Sequence, residues 1–386
     1  MTTRVAIAGA GITGAVLARQ VAEAGYAVDV FEERAHVAGN CHTARDPDTG
    51  VMVHVYGPHI FHTDDERVWA YVNAYARFEP YVNRVKAQVG GRVFTLPINL
   101  LTINQFFGRT LSPRTAADFL GSLSERSIGE PRNFEEQALK LVGRELYEAF
   151  FEGYTLKQWG LHPRELPASI LRRLPVRFNY DDNYYRHRFQ AMPRHGYTEL
   201  VERILAHPSV TVSLGARFDP VAARERYDHL FWSGPLDAFF GYSLGRLPYR
   251  TLEFEPVRAD GDFQGCAVMN YCERSVPYTR IAEHKHFSPW EAHDRTICFR
   301  EYSRACGPGD TPFYPVRLAQ EERLLERYAV LARATPGVSF VGRLGTYRYL
   351  DMDVSIGEAL SAAEQFVDSR RTGSPVPAFF NDPLAH

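Results

Sequence analysis

The spacing of apolar residues changes along this chain in ways that separate strands from helices. Val5, Ala6, Ile7 and Ala8 form the short continuous apolar run of a fully buried parallel strand. From Thr13 to Ala24 the apolar positions Val16, Leu17, Val21 and Ala24 recur at three-to-four spacing, predicting a helix that Gly25 is placed to cap. Ala27 to Phe31 then resumes strand character and ends at Glu32. Val85 to Leu96 alternates around Gly90-Gly91 as a β-hairpin. From Asn99 to about Leu174 the pattern is mainly helical. Within it Asn133 is set to cap a helix with Glu136 three residues later, and Phe134, Ala138, Leu141, Val142, Leu146 and Ala149 mark the buried face. Strand character returns at Val210 to Leu214 and at Tyr227 to Gly234. Gly265 to Tyr271, Thr279 to Ala282 and Thr296 to Tyr302 read as mostly antiparallel sheet. A helix from Leu318 to Ala334, a strand from Val338 to Val341 and a helix from about Val354 to Phe366 close the chain.

This order predicts an α/β fold, with a Rossmann-like dinucleotide-binding domain built from discontinuous segments, a helical subdomain and an antiparallel β-sheet subdomain. The expected divisions are residues 1–80, 195–245 and 315–386 for the first, 98–194 for the second, and 81–97 with 246–314 for the third. A chain of 386 residues is too long for one ordinary core, in keeping with two or three such units.

Composition narrows the setting. Hydrophobic residues make up 45% and charged residues 23%, and the formal charge is only −2, which excludes bulk attraction to nucleic acid or an anionic membrane. The five cysteines are odd in number and lack paired CxxC spacing, which points to a reducing compartment. With no signal-peptide pattern and no stretch near the ~20 apolar residues of a membrane span, a cytoplasmic location is expected.

Gly9, Gly11 and Gly14 carry the first chemical signal, a GxGxxG spacing between strand and helix. Gly9 suits the tight turn, Gly11 lets a pyrophosphate approach the backbone, and Gly14 lets helix and strand pack closely. The helix N-terminus faces the phosphate charge, while Glu32 is placed to accept ribose hydroxyls. The spacing alone is weak; the strand before it, the helix after it and the acid about twenty positions on make it specific. Gly39-Asn40, in a turn-rich segment, suits a backbone passing close to a larger cofactor and tilts the choice from a nicotinamide nucleotide to FAD.

Other stretches keep two readings each. In Gly57-Pro58-His59-Ile60-Phe61-His62-Thr63, either His62 or Thr63 caps the following helix, or an imidazole lies against a flavin. The aromatics from Phe150 to Trp159 are subdomain packing or ligand contacts. Arg164, Arg172, Arg173, Arg177, Arg186 and Arg188, interleaved with Phe178, Tyr180, Tyr184 and Tyr185, form a solvated face or a nucleotide-diphosphate site, where guanidinium pairs phosphate bidentately. His284 and His286 are placed to share a strand face near His293, but no matching carboxylate or cysteine set accompanies them, so no metal is expected. Gly342 to Asp353 is a plain strand-helix connection or a second place where backbone amides meet the cofactor.

Taken together, the N-terminal fingerprint, Gly39-Asn40, Gly57 to Thr63, Gly153-Tyr154-Thr155 with Trp159, Asn183-Tyr184-Tyr185, and Gly342-Arg343-Leu344 through Asp351-Met352-Asp353 resemble the bacterial UDP-galactopyranose mutase family over nearly the whole chain. The resemblance implies an isomerase holding FAD, active when reduced. It interconverts UDP-galactopyranose and UDP-galactofuranose by ring contraction, through a covalent adduct of the sugar C1 with N5 of the flavin and with no net redox change. It implies Arg173 and Arg280 as diphosphate arginines, with His59 and His62 also in catalytic positions beside the flavin. Tyr154 and Trp159 would flank the uracil, with Phe150, Phe151 and Thr155 nearby. Tyr184, Tyr314 and Tyr349 would lend hydroxyls, and Asn83 and Asp351 would lie near substrate. On the cofactor side it implies Gly9, Gly11, Ile12, Thr13, Gly14, Glu32, Glu33, Arg34, Gly39, Asn40, His59, Ile60, Arg343, Tyr349 and Met352. Ala38 stands where the family has a second glycine, a change expected to be tolerated provided φ there is not positive. The resemblance further implies a reductant such as NAD(P)H or a flavin reductase, a homodimer, a role in cell-surface galactofuranose supply, and a lid carrying Arg173. Two other activities share the fingerprint: an FAD-dependent oxidoreductase of the amine oxidase type, which needs no diphosphate clamp, and a NAD-dependent dehydrogenase. A cofactor-bound module without turnover is a third reading.

Overall fold

A computed structural model of the protein describes residues 3–173 and 176–384, without the side chains of Arg172, Arg173, Ala319 and Gln320. At its centre is a five-stranded parallel sheet in the order Val210–Ser213, Ala27–Phe31, Arg4–Ala8, His229–Trp232, Val338–Phe340. The first strand of the chain is thus flanked by its successor on one side and by a strand more than 200 residues later on the other. Its alternate residues face two cores: Val5 and Ile7 pack with the helices Ile12–Glu23, Gly196–Leu205 and Met352–Thr372, whereas Ala6 and Ala8 face the helix Ala319–Arg333. Burial on both faces is why the run is continuously apolar. The reversal of strand order beside Arg4–Ala8 opens a crevice at the carboxyl ends of the strands, the usual place for a ligand in such sheets.

A second, seven-stranded sheet runs in the order Tyr314–Pro315, Tyr249–Asp260, Arg295–Ala305, Arg280–Glu283, Val268–Tyr271, Val85–Val89, Arg92–Leu96. All its pairings are antiparallel except that of Val268–Tyr271 with Val85–Val89. Gly90 and Gly91, both at positive φ, make the hairpin turn. The helices between Leu100 and Trp159 close over a third core that includes Phe94, Phe134, Leu146 and Phe150.

Local expectations are altered in four places. The helix begun by Asn133, whose side chain accepts from the Glu136 amide, stops at Val142. Gly143 there takes φ +78, and a Cβ on it would lie 2.8 Å from the Leu123 carbonyl oxygen. The chain restarts through Arg144–Leu146 and a π-helical turn, Tyr147–Glu152, before the helix Gly153–Trp159, so Leu146 and Ala149 lie beyond the helix that carries Phe134, Ala138, Leu141 and Val142, although all six pack in the same core. The helix Glu66–Tyr75 is capped by Asp65, which accepts from the Arg67 and Val68 amides, and neither His62 nor Thr63 is its cap. His284 and His286 lie in one 3-10 turn and so share no strand face. Finally, Phe189–Pro193 is a strand set between Phe61–Thr63 and Phe78–Pro80, which brings the end of the expected helical segment beside the nucleotide-binding unit. Among the described residues no helix is long and apolar enough to cross a membrane.

Candidate active site

The glycine turn behaves as its spacing predicts. Gly9 has φ +104, and a Cβ there would sit 2.2 Å from Ser233 Oγ; one on Gly14 would sit 2.0 Å from the Gly9 carbonyl oxygen. At Gly11 the nearest atom to such a Cβ is 3.9 Å away, so the space over that residue is open. The helix Ile12–Glu23 has no side-chain cap and no acid in its first turn, which leaves its leading amides for a ligand. The helix Met352–Thr372 also starts without a side-chain cap, although Asp351 occupies the capping position.

Both helix starts border a cavity of about 1030 Å³. Every residue expected on the cofactor side lines it except Ile60 and Tyr349. Glu32 is buried at the strand end, with one carboxylate oxygen taking the Ala10 amide at 2.9 Å and the other the Arg34 amide at 3.0 Å. Arg34 donates to Asn40 Oδ1 at 2.9 Å, and its second terminal nitrogen is buried without a partner. An orphaned guanidinium nitrogen, open space over Gly11 and two uncapped helix N-termini together fit a dinucleotide with a pyrophosphate centre. Ala216, Phe218, Ser233, Tyr242 and Arg246 line the same cavity and escaped sequence reading, because they arrive on segments far from the fingerprint. Cys41 lies there too; burial pushes its thiol up to about 11, so it stays protonated. Ala38, in the loop under Gly39, has φ +75, so the condition for easy replacement of a glycine is not met and this residue is held in a left-handed conformation.

A second cluster of polar side chains lies beside His59 and Arg343. Arg280 Nε and Nη2 each lie 2.8 Å from Glu301 Oε2, and Glu301 is almost fully buried. The pair follows from strand register: Arg280 and Glu301 stand directly opposite in the antiparallel sheet. Burial opposes the Arg280 charge, but the Glu301 carboxylate outweighs it and holds the guanidinium firmly protonated. Burial raises Tyr154, Tyr184, Tyr185 and Tyr314 above their ordinary value, so all four remain O–H donors at neutral pH. Tyr314 and Tyr349 stack at 5.8 Å, and the Arg343 guanidinium sits over both rings. Arg343 also donates to the Leu350 carbonyl at 2.5 Å.

His59 is pushed down to about 4 by burial and by Arg343, and is therefore neutral, with Nδ1 2.9 Å from the Gly57 carbonyl oxygen. His62 stacks between Tyr185, at 3.8 Å, and His187, at 4.7 Å, and its buried Nδ1 has no partner. Burial lowers it as well, against the pull of Asp351. Asn83 is buried with an unpartnered Oδ1, and its carbonyl takes the Tyr184 amide at 2.9 Å.

Not every expected residue reaches this cluster. Phe150 is buried edge-on against Phe94 at 5.3 Å and beside Phe106 at 5.6 Å, inside the helical core. Phe151 packs towards Phe134, and Thr155 is buried. The Arg172 and Arg173 side chains lie outside the described residues, so the diphosphate role of Arg173 and the choice between the two remain expectations. The arginine run is divided in use. Arg164 pairs with Glu135 and Arg188 with Glu66 at the surface, while buried Arg177 donates to the Asp181 side chain and to main-chain carbonyls of Asp181, Asn183 and Tyr185. Sequence reading missed Glu301; its signal was an acid in phase with Ile297 and Phe299 in a strand.

Asp262, Glu283 and His286 bring potential metal-ligand atoms within 4.8 Å of one another, supplying the carboxylates that sequence reading found lacking. Glu283 Oε2, the oxygen nearer His286, already accepts the Gln264 and Gly265 amides, and Lys285 lies 2.5 Å from Asp262. The group is a clasp for the loop before Val268.

Comparison with known proteins places these features together. A UDP-galactopyranose mutase family profile matches residues 149–349, and an NAD(P)-binding Rossmann-like domain profile matches residues 7–75. The chain is 60% identical, over 97% of each sequence, to a probable UDP-galactopyranose mutase of Klebsiella pneumoniae. It is 48% identical to a dTDP-fucopyranose mutase of Escherichia coli, over 95% of this chain and 99% of that one. Among solved structures, a reduced UDP-galactopyranose mutase superposes with TM-score 0.77 at 17% identity, covering 97% of this chain and 96% of that one. A putrescine oxidase superposes with TM-score 0.59 at 12% identity over 95% of this chain and all of that one, a likeness of fold alone.

Proposed function

Because the chain belongs to the UDP-galactopyranose mutase family, we propose that it is an isomerase that interconverts UDP-galactopyranose and UDP-galactofuranose with FAD as its cofactor. One observation carries the assignment: a largely buried guanidinium, clamped to Glu301 and ringed by protonated phenols, stands beside His59 and Arg343 next to a dinucleotide cavity. A diphosphate is the ligand that needs such a clamp, and an amine oxidase has no use for it.

The bound flavin, once reduced, supplies the nucleophile for the anomeric carbon. The protein's part is to hold, aim and stabilise. Arg280, with Arg173, holds the diphosphate and takes up the negative charge that grows there as UDP departs. The O–H groups of Tyr154, Tyr184 and Tyr314 add neutral donors without titrating near pH 7. Tyr154 and Trp159 sandwich the base, and Asp351 with Asn83 orients sugar hydroxyls. Neutral His59 adds no second cation beside Arg343. Gly9 to Gly14, Glu32 and Arg34 seat the adenosine diphosphate half of the cofactor, and Arg343 and Met352 lie toward its ring.

The three-part division expected from the sequence supports this reading, with the nucleotide-binding unit holding FAD and the other two units facing the UDP-sugar. We further propose a cytoplasmic homodimer, reduced by NAD(P)H or a flavin reductase, that supplies galactofuranose for cell-surface glycans. An absorbance spectrum of the purified protein, followed by conversion of UDP-galactofuranose with and without dithionite, tests the core proposal. A yellow protein active only when reduced is the expected result. Turnover of dTDP-fucopyranose in preference to the UDP-sugar would move the substrate assignment, and a protein that cannot take up FAD would overturn it.

A further inference from the structure

The helix Gly153–Trp159 carries a lysine that the reaction above does not use. Lys157 Nζ donates to four main-chain carbonyls, those of Tyr271 at 2.6 Å, Glu273 at 2.9 Å, Val276 at 3.0 Å and Tyr278 at 2.9 Å. Tyr271 ends the strand Val268–Tyr271 and the other three lie in its connection to Arg280–Glu283, and Arg280 is the first residue after it to enter the sheet. The helix presses on this connection through a second residue one turn earlier: a Cβ on Gly153 would lie 2.3 Å from the Cys272 carbonyl oxygen. At the far end of the helix, Arg250 Nε and Ser303 Oγ donate to the Gln158 carbonyl at 3.0 and 2.6 Å, tying it to the same sheet.

We propose that Lys157 is a positioning residue: its ammonium gathers the 271–278 segment against the helix and so sets the placement of Arg280 relative to Tyr154 and Trp159. The inference rests on the reading that those aromatics hold the base while Arg280 holds the diphosphate. One substrate spans both, so an error in their separation weakens its binding. A solvent-facing lysine would be free to move. Four carbonyls around a half-buried ammonium instead make a point cross-link, in which, among the described residues, only the Glu273 carbonyl is seen to take a second donor, the Val276 amide at 3.3 Å.

The same geometry makes the cross-link sensitive to alkali. An ammonium has three N–H bonds and a neutral amine two, so deprotonation leaves carbonyls unserved. Burial lowers Lys157 to about 8, against the pull of the Glu273 carboxylate on the connection it faces. Burial holds the Cys272 thiol up at about 12, so it stays neutral. Arg274 is turned to Glu152, and Arg250 meets the helix only through its terminal carbonyls.

The test uses purified FAD-loaded protein and begins with reduced wild type acting on UDP-galactofuranose; absence of turnover there would refute the function itself, separately from this inference. Lys157→Met is expected to raise KM for UDP-galactofuranose and Kd for UDP by about tenfold to a hundredfold, at unchanged flavin content per chain. A loss confined to flavin content, or to kcat with KM and Kd unmoved, would overturn the proposal. Should that variant not fold, wild type and Lys157→Arg decide the matter. Wild type is expected to show KM rising above about pH 8, and the arginine variant, which stays charged, to lose that alkaline rise. An alkaline rise that persists in Lys157→Arg, or is absent from wild type, would refute it.

Discussion

Replacing Arg280 with methionine keeps an unbranched stem and removes the guanidinium, and two separable losses follow. The first is in binding. A hydrogen bond to a charged group contributes about 1.5–3 kcal/mol, which at about 1.4 kcal/mol per factor of ten lowers kcat/KM by roughly ten- to a hundredfold. The second is in stability. Glu301 is only 2% exposed, and stripping the partner from a buried ion pair costs about 3–5 kcal/mol. Because 24% of the Arg280 side-chain surface is exposed, the lower end, near 3 kcal/mol, is the better expectation. The double variant Arg280→Met with Glu301→Gln separates the two, since an amide removes the stranded charge without restoring a phosphate partner. Urea unfolding should therefore show a large loss in the single variant and substantial recovery in the double. Steady-state assays of dithionite-reduced enzyme on UDP-galactofuranose should show both variants equally impaired. Recovery of kcat/KM in the double variant would refute the diphosphate role, and a single variant as stable as wild type would refute the burial argument.

Three more outcomes are expected. Gly14→Ala places a methyl against the Gly9 carbonyl oxygen, 2.0 Å from an ideal Cβ, and must push the helix off the turn; the purified protein should hold less FAD, read as the ratio of flavin to protein absorbance. Ala38→Gly should change unfolding free energy by less than about 1 kcal/mol, because relief of a left-handed alanine is offset by a lost buried methyl and greater unfolded-chain freedom, whereas Ala38→Val should cost more than that; urea titrations of the pair decide it. His42 and His59, pushed down to about 4, and His229 and His284, to about 3, owe their shifts first to burial. Folded values below the ordinary 6.5 mean that the unfolded chain takes up protons the fold refuses, so their contribution to stability is full above about pH 6.5 and is lost as pH falls towards 4. A urea midpoint that stays flat between pH 7 and pH 5 would contradict this.

Much of the dinucleotide site was legible because its determinants are local. Gly9 must take φ +104, Gly14 must lie against the turn, and the apolar runs on either side must be a buried strand and a helix; each is a property of a few consecutive residues. The same local logic failed where a neighbour intervened. Asp65 outcompeted His62 and Thr63 for the helix cap because its carboxylate reaches two amides, and Gly143 broke a helix whose apolar period runs on, since Leu123 presses against its left-handed turn.

By itself, then, the sequence determined the nucleotide-binding unit, the strand-helix order around it and the kinds of residue that a diphosphate site requires. Tertiary structure decided which of those residues serve. Arg280 meets Glu301 through strand register across the sheet. Arg177 turns inward to tie the Tyr184 loop, though it stands in the same arginine run as surface-paired Arg164 and Arg188. Phe150 goes to the helical core while Tyr154, one helical turn on, faces Arg280. The physical reason is common to all three: burial and register are set by what packs from distant segments, and a side chain's environment, not its type, fixes its charge, its partners and its use.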